Sequence, residues 1–157
     1  MNWFVTLLVT ALYSLLLQNL IFTGGFGTSE AIRISSKPRY VLSFALFITV
    51  FSAATSLICR ALDLLPQIGH AHTLVRLLIY ISVLFVLYVI TVLLFRYALH
   101  ASDSILRKIG MAAFNTLILA IPLINRSAAY TISESLGAGL GAGTAFALAV
   151  CCHDTNR

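Results

Sequence analysis

The chain has 157 residues, of which 60% are hydrophobic and only 10% charged, too little charge to cover a soluble domain, so the bilayer is its natural solvent. The formal net charge is +5, but the basic residues are scattered between apolar runs and never form a stripe, which argues against nucleic acid as a partner. Three cysteines, Cys59, Cys151 and Cys152, make no disulfide framework.

A helix crosses the hydrocarbon core with about 20 mainly apolar residues, because each rises about 1.5 Å and every backbone polar group must be satisfied internally. Five segments meet or approach that length, at about 3–22, 40–59, 74–97, 109–124 and 132–152. The first has no basic leader and no small-residue cleavage site, and reads as a retained helix with Gln18 and Asn19 near its end. The second has no charged side chain. The third holds an uncharged stretch from Leu77 to Phe95, with Arg76 and Arg96 at its ends, where their long stems can snorkel. The fourth is short, carries Asn115 and Thr116 in its middle, and is expected to be interrupted at Pro122. The fifth begins Ser133-Glu134-Ser135 and continues through Gly137, Gly139, Gly141 and Gly143 into an apolar run. The expected fold is one all-α integral membrane domain of about five transmembrane helices.

Lys and Arg favour the cytoplasmic side. With five spans, Arg33, Lys37, Arg39, Arg96, Arg107, Lys108 and Arg157 fall on one side and Arg60, Arg76 and Arg126 on the other. The first set marks the cytoplasm, which places the N-terminus outside and the C-terminus inside a cytoplasmic membrane.

Asn19 and Asn115 are amides at membrane depth and need partners or a water-lined cavity. They are candidates for a polar lining together with Thr116, and equally for hydrogen bonding between helices. The Thr23-Gly24-Gly25-Phe26-Gly27 run lacks the strand and the Gly-Lys-Ser/Thr of a phosphate loop, and reads as a flexible turn or a re-entrant segment. Gly137, Gly139, Gly141 and Gly143 form two overlapping Gly-x-x-x-Gly pairs, a surface for close helix packing. His70 with His72, and Cys151-Cys152-His153, match no metal-ligand spacing, so no metal site is assigned. Glu30, Asp63, Asp103, Glu134 and Asp154 lie in loops or at helix ends, Glu134 being the nearest to an intramembrane carboxylate. No nucleophile, base and acid come together, and no catalytic residue is assigned.

Gln18-Asn19-Leu20-Ile21-Phe22 resembles the end of the first helix in the RnfA/NqrE family, the membrane subunits of Rnf and Na+-translocating NADH:quinone reductase electron-transport complexes. The run from Asn115 through Pro122 to Ile124-Asn125 is similar to that family's fourth helix, which reads Thr-Asn-Cys-Ala-Val-Leu-Gly and ends in Leu-Asn. Ser135 to Val150 resembles its fifth. The resemblance implies an inverted repeat with broken first and fourth helices, here incomplete (3+2) because the family's sixth helix has no counterpart before Arg157. It also implies sister membrane subunits as partners and a shared [2Fe-2S] cluster. The cluster-ligand positions fall at Gly24, Gly25 and Thr116, none of which supplies a thiolate. The expectation is therefore a non-catalytic or electron-relay subunit without its own complete ligand set, or alternatively a divergent paralogue acting as a small transporter, channel or assembly scaffold.

Overall fold

The computed structural model describes residues 2–16, 38–69 and 71–155, with side chains described except at 38–41 and 151–155. All regular structure among these residues is helical: α1 (Trp3–Leu16), α2 (Pro38–Asp63), α3 (Pro66–Gly69), α4 (Thr73–Leu93), a π-helical turn (Leu94–Ala98), α5 (Asp103–Ala113), α6 (Thr116–Ser127) and α7 (Ile132–Thr155). Three segments are long and apolar enough to cross a membrane: 42–63, 73–98 and 103–127. These make the chain a multi-pass membrane protein by length and composition.

The centre of the bundle is α7, held mainly by α2 and α1; α5 and α6 also pack on α2, and α6 touches α7 directly. Direction follows from the glycines. Gly137 faces Leu7 and Ala11 while Gly141 faces Ala11 and Ser14, so α1 runs parallel to α7; Gly139 faces Ser52 and Ala53 while Gly143 faces Thr49, so α2 runs antiparallel. The starts of α1 and α7 therefore share one end of the bundle with the finish of α2. The start of α4 and the finish of α6 join that end, since Tyr80 bonds Asp63 and Arg126 bonds Gly69. Arg96, Arg107 and Lys108 lie toward the opposite end.

The apolar core joins Phe44 and Ile48 of α2 to Ile109 of α5, Leu117, Ile118 and Ile121 of α6, and Phe146 and Val150 of α7. Phe44 and Phe146 meet with ring centroids 5.8 Å apart and planes tilted by 48°, a favourable offset geometry. By contrast, the α4 span is only 11% buried, against 50% and 56% for the other two. Leu84 joins the core, but Leu78, Ile81, Val86 and Ile90 face outward, where hydrocarbon chains solvate them as well as a protein core would.

The fourth expected span differs in two ways from the sequence reading. It runs longer, across both α5 and α6, and its interruption falls at Phe114–Asn115 instead of Pro122. Pro122 sits inside α6. A transmembrane helix tolerates the donor that proline removes, because the membrane offers the backbone no competing partner and neighbouring groups re-satisfy what is freed.

The start of α7 explains Glu134. Thr131 Oγ1 accepts from Glu134 N at 3.4 Å, and Thr131 N donates to Glu134 Oε2 at 2.7 Å, the reciprocal arrangement of a capping box. Its carboxylate satisfies a helix end. Thr131→Ala is expected to lower stability by about 1 kcal/mol, the usual loss for a removed N-cap. Chemical unfolding of the purified protein in detergent tests this; an unchanged midpoint would mean that the box carries no net stability.

Candidate functional site

Asn115 builds the helix break. Its backbone is extended (φ −72°, ψ 131°) and its side-chain Oδ1 accepts from Leu117 N at 2.9 Å, so it is the N-cap of α6. Phe114 N still donates to Gly110 O, at 3.2 Å, and Asn115 N to Ala112 O, at 3.1 Å. In hydrocarbon every unmet backbone donor costs several kcal/mol. An amide side chain is therefore the natural price of stopping and restarting a helix there. Asn115 is fully buried, and its Nδ2 has no partner among the described residues. Thr116, directly after it, is exposed. Beside it an apolar groove of about 350 Å³ runs along α6, lined by Thr116, Leu119, Ala120, Leu123 and Ile124.

A second polar feature is a seam across the three central helices. Ser14 Oγ donates to Ala138 O at 3.2 Å and Ser52 Oγ to Gly139 O at 2.7 Å; Ser56 Oγ donates to Ser135 O and accepts from Asn125 Nδ2. Glycine and alanine on α7 leave its carbonyls bare, so short hydroxyl side chains from α1 and α2 can reach them. Ser56, Asn125 and Ser135 thus form a buried polar junction of α2, α6 and α7, in which Asn125 Oδ1 and Ser135 Oγ have no protein partner among the described residues; Thr55 Oγ1 of α2 is likewise buried without one.

The third feature is charged and lies at the end shared by α2, α4 and α6. Asp63, the last residue of α2, is 7% exposed, and its Oδ2 accepts from Tyr80 OH at 2.6 Å. Arg76 donates to Ala71 O at 2.6 Å and to Gly69 O at 3.4 Å, and Arg126 donates to the same Gly69 carbonyl at 2.8 Å. Cys59 is buried one turn before Asp63.

Among the residues singled out from the sequence, Asn115 and Thr116 stand together at the break. Gly137, Gly139, Gly141 and Gly143 are not an outward face: they are covered within the chain, the first and third by α1, the others by α2. A sister subunit cannot use that surface. Asn19, Gly24 and Gly25 lie outside the described residues, as do His70 and the side chains of Cys151, Cys152 and His153. His72 caps α4 weakly, its Nδ1 accepting from Leu74 N at 3.4 Å. Two functional candidates were not anticipated. Asn125 was read only as part of a motif, although an amide within an apolar run signals a buried partner. Asp63 was read as a helix-end residue, and its burial depends on a tyrosine 17 residues further on.

Among the described residues, the donors do not assemble a thiolate-bound cluster. Thr116 offers a hydroxyl, Cys59 lies at the charged end beside Asp63, and no group of three or more His, Cys, Asp or Glu side chains assembles among the described residues. Comparison with protein-family models, with curated proteins and with solved structures finds no match to this chain.

Proposed function

We propose that the chain is a membrane subunit of an Rnf- or Nqr-like ion-translocating electron-transport complex, without a complete iron-sulfur ligand set of its own. In this reading it has about five spans in a cytoplasmic membrane, with the N-terminus outside and the C-terminus in the cytoplasm, and it is laid against sister membrane subunits. The observation that carries the reading is the break at Asn115. A helix interrupted at membrane depth is a means of building a site where two half-helices meet, and it occurs in the segment that resembles the family's fourth helix. Thr116 and the groove beside it lie open on the surface of this chain, as expected of an element completed by another subunit.

The test is purification of the tagged full-length chain from its native membrane. Flavin-bearing and ferredoxin-like subunits should accompany it, and Leu123→Trp, which fills the groove, should release them while leaving the helical signal intact. Recovery of the chain without such subunits would sink the proposal. A cluster signal abolished only by changing Cys59, Cys151 or Cys152 would refute the incomplete ligand set.

A small assembly scaffold is the second reading, favoured by the seam. Its Ser14, Ser52 and Ser56 hydroxyls are spent on bonds between helices, which hold a bundle together. For orientation, a reporter fused after Arg157 is expected to be active in the cytoplasm and one inserted at Gln67 outside; the reverse result would invert the topology.

A further inference from the structure

We propose that the charged end and the cleft between α2 and α4 form one binding site for an anionic phospholipid, with its phosphate at Arg76 and Arg126 and an acyl chain along α4. The head of the site is a pair of guanidinium groups that outnumbers the carboxylate near them, Asp63. Arg76 and Arg126 both donate to the Gly69 carbonyl, which brings two positive charges together, and neither forms an ion pair among the described residues. The nearby carboxylate, Asp63, is directed to Tyr80 instead. Arg76 also holds its Nε buried and without a partner. Two planar guanidinium groups at the water-facing end of a membrane bundle suit a phosphate, whose oxygens accept from several N–H donors at once.

The tail of the site is an apolar groove of about 360 Å³ formed by Ile79, Val83, Val86 and Ile90 of α4 with Ile58 of α2. The α4 residues stand three, seven, ten and fourteen positions after Arg76, so at about 100° per residue they continue below it on the same face of the helix. From Ile79 to Ile90 the groove descends about 16 Å, close to one leaflet of a hydrocarbon core about 30 Å thick. Charge at the interface and an apolar channel of one-leaflet depth on one helix face are what a phospholipid presents in mirror image. A free anion would have no use for the groove, and a neutral chain would have none for the arginines.

The full-length protein in detergent, titrated with dioleoyl phosphatidylglycerol or dioleoyl phosphatidylcholine and read by native mass spectrometry, tests the assignment. Phosphatidylglycerol is expected to be retained more tightly than phosphatidylcholine. Arg126→Gln and Arg76→Gln should each weaken phosphatidylglycerol by about tenfold, the loss of one charge-assisted contact. Val86→Trp, which fills the groove from its exposed side, should weaken both lipids and leave the preference between them unchanged. Because Arg76 also ties down the loop through Ala71 and Gly69, Arg126→Gln and Val86→Trp decide the matter if Arg76→Gln loses helical signal. Equal retention of the two lipids by the unaltered protein overturns the proposal, as does undiminished phosphatidylglycerol binding in both deciding variants. Inorganic phosphate that protects against thermal unfolding as well as phosphatidylglycerol does would also overturn it, since the groove would then contribute nothing.

Discussion

Gly141→Leu and Gly143→Leu are each expected to cost at least about 3 kcal/mol, the upper range for forcing side chains into a filled interior. The reason is backbone against backbone. A Cβ at Gly141 would run into the Ala11 carbonyl oxygen, and one at Gly143 into Thr49 Cα. Neither obstacle is the movable tip of a side chain, so an added group must drive whole helices apart. Separation would also lengthen the bonds from Ser14 and Ser52 to the α7 carbonyls, so packing and hydrogen bonding fail together. Gly110→Ala provides the contrast. Its Cβ would meet only the Tyr88 ring, at 3.7 Å, an ordinary contact, and alanine favours the interior of α5 by up to about 1 kcal/mol over glycine. Unfolding in mixed micelles of increasing dodecyl sulfate, followed by helical circular dichroism, should show the leucine variants unfolding earlier and Gly110→Ala unchanged or later. A leucine variant as stable as the original would mean that α1 and α2 do not rest on the backbone of α7.

The helices themselves were legible in the sequence because the bilayer allows few alternatives. Long uncharged runs become helices when no water is present to satisfy the backbone, and Leu77 to Phe95 is the clearest case. The break was legible in kind but not in place. Pro122 is the stronger breaker in water, whereas at membrane depth Asn115 has the decisive property of carrying its own acceptor to cap the restart. The glycines announced close packing, but not which partner, because a face without side chains fits a helix of the same chain as well as one from another. Thr131-x-x-Glu134 is a readable capping box, overshadowed by the question of whether Glu134 works inside the membrane. The burial of Asp63 could not be read at all. It arises only when α2 and α4, joined by a short turn through α3, bring Tyr80 over the last residue of α2.

Tyr80→Phe is expected to destabilise the protein by about 2–3 kcal/mol, although it removes one oxygen and opens no cavity. Asp63 Oδ2 has the Tyr80 hydroxyl as its partner, and Oδ1 has none among the described residues. Loss of the hydroxyl leaves a buried carboxylate with neither oxygen satisfied, so the cost comes from the group left behind. Asp63→Leu does the reverse and strands the Tyr80 hydroxyl, for about 1–3 kcal/mol. The double variant leaves no orphan. It should therefore lose less than the sum of the two single changes, with a coupling of at least about 1 kcal/mol. The same dodecyl sulfate unfolding measures all four proteins. Strict additivity would show that Asp63 finds other partners once Tyr80 is gone, Arg60 in the same last turn of α2 and Arg76 at the start of α4 being the positive charges placed to turn toward it. If Arg76 is the one that turns, the lipid-binding affinity of Tyr80→Phe should fall as well, because an Arg76 drawn to Asp63 is lost to the phosphate. Tyr80 thus does more than fill the contact between α2 and α4: by holding the carboxylate, it leaves the Arg76 guanidinium available to a phosphate.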